Sequence, residues 1–225
     1  MTDERSPEWK PPRLYQEPTP DEVELYGERL ARVREAIKAR IKGGWYLATG
    51  IAFTTGAAIS MSDWLISGDI KAINWAANMA VPFATNELSQ AKVAKVLDQA
   101  RDEITALDMN TQDSPERKKP IFFKPPPPEA IEKYGDQEAY TRAVFKARKF
   151  GSAMLTLLVI GTTGALNSVV DYVNRGELKP FDWIANFSVP IILNGLRGIR
   201  AKKIIDRTES DVIALLPDTS QSTGQ

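Results

Sequence analysis

The chain says nearly everything twice. Residues 6–107 lie over residues 114–215 without a gap, and more than a third of the paired positions are identical. Tyr26-Gly27 returns as Tyr134-Gly135, Lys38-Ala39-Arg40 as Lys146-Ala147-Arg148, and Thr54-Thr55-Gly56-Ala57 as Thr162-Thr163-Gly164-Ala165. The pattern W-x-A-N-x-x-V-P-x-x-x-N runs from Trp75 to Asn86 and again from Trp183 to Asn194. A gapless match of this length marks a tandem duplication, so the fold is expected to be two similar modules related by pseudo-two-fold symmetry. The expected division is a proline-rich arm at 1–20, a first module at 21–107, a proline-rich linker at 108–128, a second module at 129–215 and a disordered tail at 216–225.

Each module begins with prolines, among them Pro125-Pro126-Pro127-Pro128, which favour a stiff polyproline II spacer. A helix is predicted next. Val23, Tyr26, Leu30, Val33, Ile37 and Ile41 recur at spacings of three or four, and Ile131, Tyr134, Thr141, Val144 and Phe145 form a weaker second stripe. Residues 43–62 and 150–170 then carry no charge. About twenty such residues span a hydrocarbon core of about 30 Å. Small residues such as Gly50, Thr54, Gly161 and Ala165 suit close helix approach there. A second uncharged stretch in each module, 72–86 and 183–196, is short for a full span, but an apolar stripe from Leu88 through Val93, Leu97 and Ile104 extends the first one. The expected architecture is therefore all-α: two helical hairpins, four transmembrane helices and helical extensions.

Charge placement orients the hairpins. Basic residues precede the first stretch of each module and follow the second, whereas the short connections hold only Lys71, Arg175 and Lys179. The positive-inside rule then puts both termini and the linker on the cytoplasmic side. Arg34, Lys38, Arg40, Lys146, Arg148, Lys202 and Lys203 are the candidates for contact with lipid headgroups or a protein partner. Trp64, Trp75, Tyr172 and Trp183 fall near the opposite ends of the spans, where aromatic rings anchor at the membrane boundary. Asp63 and Asp171 read as helix-end residues at that surface.

The repeated Asn78, Pro82 and Asn86, and their counterparts Asn186, Pro190 and Asn194, each share one helical face. Proline frees the carbonyl four residues earlier, and an asparagine from the other module could satisfy it. These six residues are expected either to tie helices together or to line a ligand site or pore.

The chain has neither cysteine nor histidine. That removes disulfides, thiol chemistry, imidazole-based triads and the usual zinc and haem ligands, so no enzyme, metal or cofactor is expected. Basic and acidic residues balance at 29 each, which argues against a nucleic-acid binder. The functional expectation is a small integral membrane scaffold or accessory subunit, contacting lipids and other subunits of a larger assembly and possibly copies of itself. The alternatives are a pore or carrier between the two repeats, and a soluble helical adaptor or particle subunit, with which the ordinary mean hydropathy agrees.

Overall fold

The computed structural model describes residues 10–68, 71–108, 119–177 and 179–216. The first part of the arm, much of the linker and the tail from 217 onward lie outside the described residues. Among the described residues there are six helices and no strand: α1 (Pro20–Tyr26), α2 (Glu28–Ser67), α3 (Ala72–Asp108), α4 (Pro128–Tyr134), α5 (Asp136–Arg175) and α6 (Pro180–Ile213). The four long helices form a ring. α2 packs beside α3 and α6, α5 packs beside α6 and α3, and α3 meets α6 across the diagonal.

The helix predicted to run from Asp21 through the first stripe is interrupted. Gly27 and Gly135 take φ of 74° and 75°, a conformation that side-chain-bearing residues rarely adopt, and separate α1 from α2 and α4 from α5. Beyond the break, α2 and α5 each continue for 40 residues, about 60 Å at 1.5 Å per residue. The stripe and the uncharged stretch therefore belong to one helix. Gly68 and Gly176 end these helices in the left-handed region, their N–H groups donating to the carbonyls of Trp64 and Tyr172 at 2.8 Å.

The proline-rich leads do not project outward as free spacers. Each makes a turn, Tyr15 N–H to Pro12 and Phe123 N–H to Pro120 at 2.9 Å, and runs back beside its own long helix. Leu14 reaches Gly43, and Phe122 reaches Gly151 and meets Phe150 edge-on with ring centroids 4.9 Å apart. At the far end of the first lead, Thr19 and Glu22 form a reciprocal cap on α1. Glu22 also binds the Lys38 ammonium at 2.7 Å, which holds its carboxyl down at about 2 and raises Lys38.

One end of the ring, where the leads lie, has an apolar centre. Leu30, Val33 and Ile37 of α2, Val93, Leu97, Ala100 and Ile104 of α3, Phe145 of α5, and Ile205 and Val212 of α6 form it. The other end, where Gly68 and Gly176 lie, is built the opposite way. Along α3 one buried face reads Asn74, Asn78, Pro82, Asn86 and Gln90, then Val93, Leu97, Ala100 and Ile104. The face is geometrically continuous, and its chemistry changes between Gln90 and Val93. α6 repeats the pattern with Asp182, Asn186, Pro190, Asn194 and Arg197, then Ile205, Thr208 and Val212, of which Thr208 is the one polar member.

The outer surface changes in the reverse sense. Among the described residues, every exposed large apolar side chain on the four long helices falls within 46–65, 73–88, 150–173 or 181–199. At the lead end those helices expose none. Apolar belts of about 29, 23, 35 and 27 Å along α2, α3, α5 and α6 result, from 1.5 Å per residue. Among the described residues, α5 alone is long and apolar enough to cross a membrane.

Close approach also falls elsewhere than expected. A Cβ at Gly50 or Gly161 would meet nothing within 4 Å. One at Gly56 would come within 2.6 Å of the Asn78 carbonyl, and one at Gly164 within 2.7 Å of the Phe187 ring. Gly56 thus seats α2 against the carbonyl that Pro82 frees on α3.

Candidate functional site

A continuous buried polar axis runs through the half of the ring that is apolar outside. At the loop end Arg175 of α5 bridges Asp63 of α2 at 3.3 Å and Asp182 of α6 at 3.0 Å. The second carboxylate oxygen of Asp182 accepts the Lys179 N–H at 3.0 Å, closing the start of α6. Asn74 of α3 donates to Asp171 at 3.4 Å and accepts from Asn174 at 2.6 Å, so this end is cross-linked between the two hairpins.

Asp63 and Asp171 were expected at a surface, yet they are 2% and 0% exposed. They lie inward because each continues the interior face of its helix, and each finds an amide there. Asn78 donates to Asp63 and Asn186 to Asp171, both at 2.8 Å, and Asn186 also reaches the Ser168 hydroxyl at 3.3 Å. These are bonds within a hairpin. The expected bond from an asparagine of the other module to a proline-freed carbonyl is not formed. Asn86 instead donates to the Pro82 carbonyl of its own helix at 2.9 Å.

Further along, the hydroxyls of Thr85 and Thr163 meet at 3.0 Å, joining α3 to α5. Arg197 of α6 donates to the Asn86 side-chain oxygen at 3.0 Å, joining the diagonal pair. Not every polar atom is satisfied. Asn78 Oδ1, Asn186 Oδ1, Ser60 Oγ, Gln90 Nε2 and both amide atoms of Asn167 and Asn194 are buried without a hydrogen-bond partner. Natural interiors hold few such atoms, because each costs its full desolvation.

The six asparagine and proline candidates, Asn78, Pro82, Asn86, Asn186, Pro190 and Asn194, are thus all buried along this axis. Trp64, Trp75, Tyr172 and Trp183 are exposed around its loop end, with the Trp183 ring stacked on Phe187 at 5.6 Å. The basic candidates divide. Lys146, Lys202 and Lys203 are exposed. Arg40 and Arg148 turn inward, because positions on the interior face carry carboxylate partners: Asp211 for Arg40 at 2.6 Å and Glu103 for Arg148 at 2.7 Å. Arg34 stacks over the Tyr26 ring at 4.1 Å and bonds Thr105, and Lys38 is engaged with Glu22 and Glu35. The last four are engaged in contacts at the lead end, although the Lys38 side chain stays 42% exposed.

Sequence reasoning missed Asn74, Asp182, Asn167, Arg175, Gln90 and Arg197 as parts of the axis. A signal for some of it was present. Thr55/Thr163, Ser60/Ser168 and Asp63/Asp171 are retained in both copies and share the buried phase. Arg197 and Asn167 carry no such signal, since their counterparts are Ser89 and Ile59.

The axis offers amides, hydroxyls, carboxylates and guanidinium groups. It can hold water, bind a small ion or cross-link helices. Among the described residues no group of three or more acidic side chains is placed to hold a metal ion. Comparison with protein-family models, curated proteins and solved structures returns no match.

Proposed function

We propose that this protein is a small integral membrane subunit, embedded by the loop-end half of the ring and projecting its lead-end half into the cytoplasmic-side compartment. One observation carries this: along the four long helices a polar exterior over a mainly apolar centre gives way to an apolar exterior over a mainly polar centre. In water that exchange leaves a belt of large apolar side chains solvent-exposed. In a bilayer the belt faces hydrocarbon, and the backbone is satisfied within the helices. The belt lengths bracket the hydrocarbon thickness of about 30 Å.

That only α5 meets a hydropathy criterion fits the same reading. In that half the interior faces of the other three helices are rich in Asn, Asp, Ser, Thr, Gly and Ala, which lowers their average without touching lipid. The basic lead end and the Trp/Tyr ring at the loop end support the assignment of sides.

The role within the membrane is proposed to be structural, an accessory or scaffold subunit. Asparagine and threonine bonds fasten the hairpins to each other, while a belt of Phe, Leu, Ile and Trp is left for lipid and neighbouring subunits. Alkaline carbonate extraction tests the embedding. The chain is expected in the membrane pellet, and recovery in the supernatant would replace the reading with the soluble particle subunit. Gentle detergent purification tests the partner, with a co-purifying protein expected and a lone monomer the contrary result.

A second reading, a pore or carrier along the axis, is favoured by the unpartnered buried amides of Asn167 and Asn194. Liposome flux abolished by Asn78→Leu with Asn186→Leu would promote it.

A further inference from the structure

Three arginines of the interior each have a carboxylate: Arg40 has Asp211, Arg148 has Glu103, and Arg175 has Asp63 and Asp182. Arg197 is the exception. It is 6% exposed, donates through Nη1 to Asn86 at 3.0 Å, and pairs with no carboxylate among the described residues. Glu87, beside Asn86 in the chain, accepts instead from the Thr49 hydroxyl at 2.8 Å. A guanidinium with one amide acceptor and no ion pair, on which the Glu87 carboxylate acts only from beyond pairing distance, keeps donors to spare.

The surroundings supply more donors. Gln90 lies one turn beyond Asn86 on α3, and Asn194 three residues before Arg197 on α6, so both share the buried faces that the Arg197–Asn86 bond draws together. Gln90 Nε2 and Asn194 Nδ2 are both buried without an acceptor. Gly44 leaves room for the Gln90 amide, with which a methyl group at that position would collide. The charge belongs to one repeat only: Arg197 and Gly198 stand where the first repeat has Ser89 and Gln90.

We infer that Arg197, with Gln90 and Asn194, forms a binding site for a phosphate group. The guanidinium fork matches two oxygens of an oxyanion, and the two unpartnered amide donors on the same buried faces suit the remaining oxygens of a tetrahedral group. The level agrees. Arg197 lies about 3 Å inside the last exposed apolar residue of α6, Ile199, and the exposed Arg200, Lys202 and Lys203 follow. Under the membrane reading this is the depth of headgroup phosphates on the lead-end side, so the group could be carried by a lipid or be free inorganic phosphate. Only the lipid source rests on that reading.

The test uses the full chain in an uncharged maltoside detergent, titrated separately with inorganic phosphate and with short-chain phosphatidic acid. Saturable binding of at least one is expected. It should weaken about ten-fold or more in Arg197→Gln and in Gln90→Leu, and stay unchanged in Arg200→Gln. Tighter binding of phosphatidic acid identifies a lipid site, and tighter binding of inorganic phosphate a solute site. Two results would overturn the proposal: no saturable binding of either probe by the unaltered chain, or binding that Gln90→Leu and Arg197→Gln leave intact. Should Arg197→Gln fail to fold, Gln90→Leu and the unaltered chain still decide. Phosphate binding by a chain found in the carbonate supernatant would defeat the membrane reading and leave the site standing.

Discussion

Replacing Leu158 by lysine separates two accounts of the belt by a wide margin. Leu158 is 61% exposed on α5 and lies about 5 Å from the midpoint of that helix's apolar belt. If this face met water, an exposed substitution would shift stability by no more than about 0.5 kcal/mol. If it meets hydrocarbon, lysine near the centre of a span costs about 2.5–3.5 kcal/mol, and the lost leucine adds about 0.5 kcal/mol. The sum, about 3–4 kcal/mol, lowers the insertion equilibrium at least about a hundred-fold. The assay is the share of full-length chain that resists carbonate extraction, with Gln137→Lys at the exposed lead end as the matched control. Leu158→Lys is expected to shift much of the chain to the soluble or degraded fraction while Gln137→Lys does not. A Leu158→Lys chain that fractionates and melts like its parent would refute the argument.

Three further expectations follow from separate parts of the molecule. Phe145→Ala removes the largest fully buried side chain of the lead-end core and should cost about 3–5 kcal/mol, seen as a lower thermal midpoint by circular dichroism. Gly56→Leu should abolish a monodisperse detergent-solubilised species by forcing atoms into the Asn78 carbonyl, whereas Gly50→Leu, with open space around it, should be tolerated. Glu22 contributes stability that is present above its ordinary pKa of 4.5 and lost as pH falls toward about 2. Amide exchange in residues 20–26 should therefore accelerate across that window in the parent, and already be fast at neutral pH in Glu22→Gln.

Much of the architecture was legible because the repeat pairs equivalent residues. The equal lengths of α2 and α5 and the shared face of Asn78, Pro82 and Asn86 follow from it. Periodicity gives the phase of a helix but does not say which face points inward. The stripe from Leu88 to Ile104 shows the difficulty. Leu88 is exposed at 68%, while Val93, Leu97 and Ile104 are buried, because the inward face changes from polar to apolar between them. The same inversion hid Asp63 and Asp171, which composition assigns to a surface and helix phase assigns to the centre. Arg40 and Arg148 were unreadable for another reason: their partners Asp211 and Glu103 lie on other helices, far away in the chain. The break at Gly27 and Gly135 was missed because an apolar stripe continues across it, and only a positive φ reveals it.

The absence of native cysteine makes the central claim directly measurable. Single cysteines at Phe53, Leu158 and Ile192 sit on the exposed belt, and cysteines at Lys146 and Glu177 mark the lead and loop ends. In sealed membrane vesicles a water-soluble maleimide is expected to spare all three belt positions despite their exposure on the protein surface. It should label position 146 from one side of the membrane and position 177 only from the other. Belt cysteines that react as fast as the one at position 146 would contradict a membrane-embedded ring.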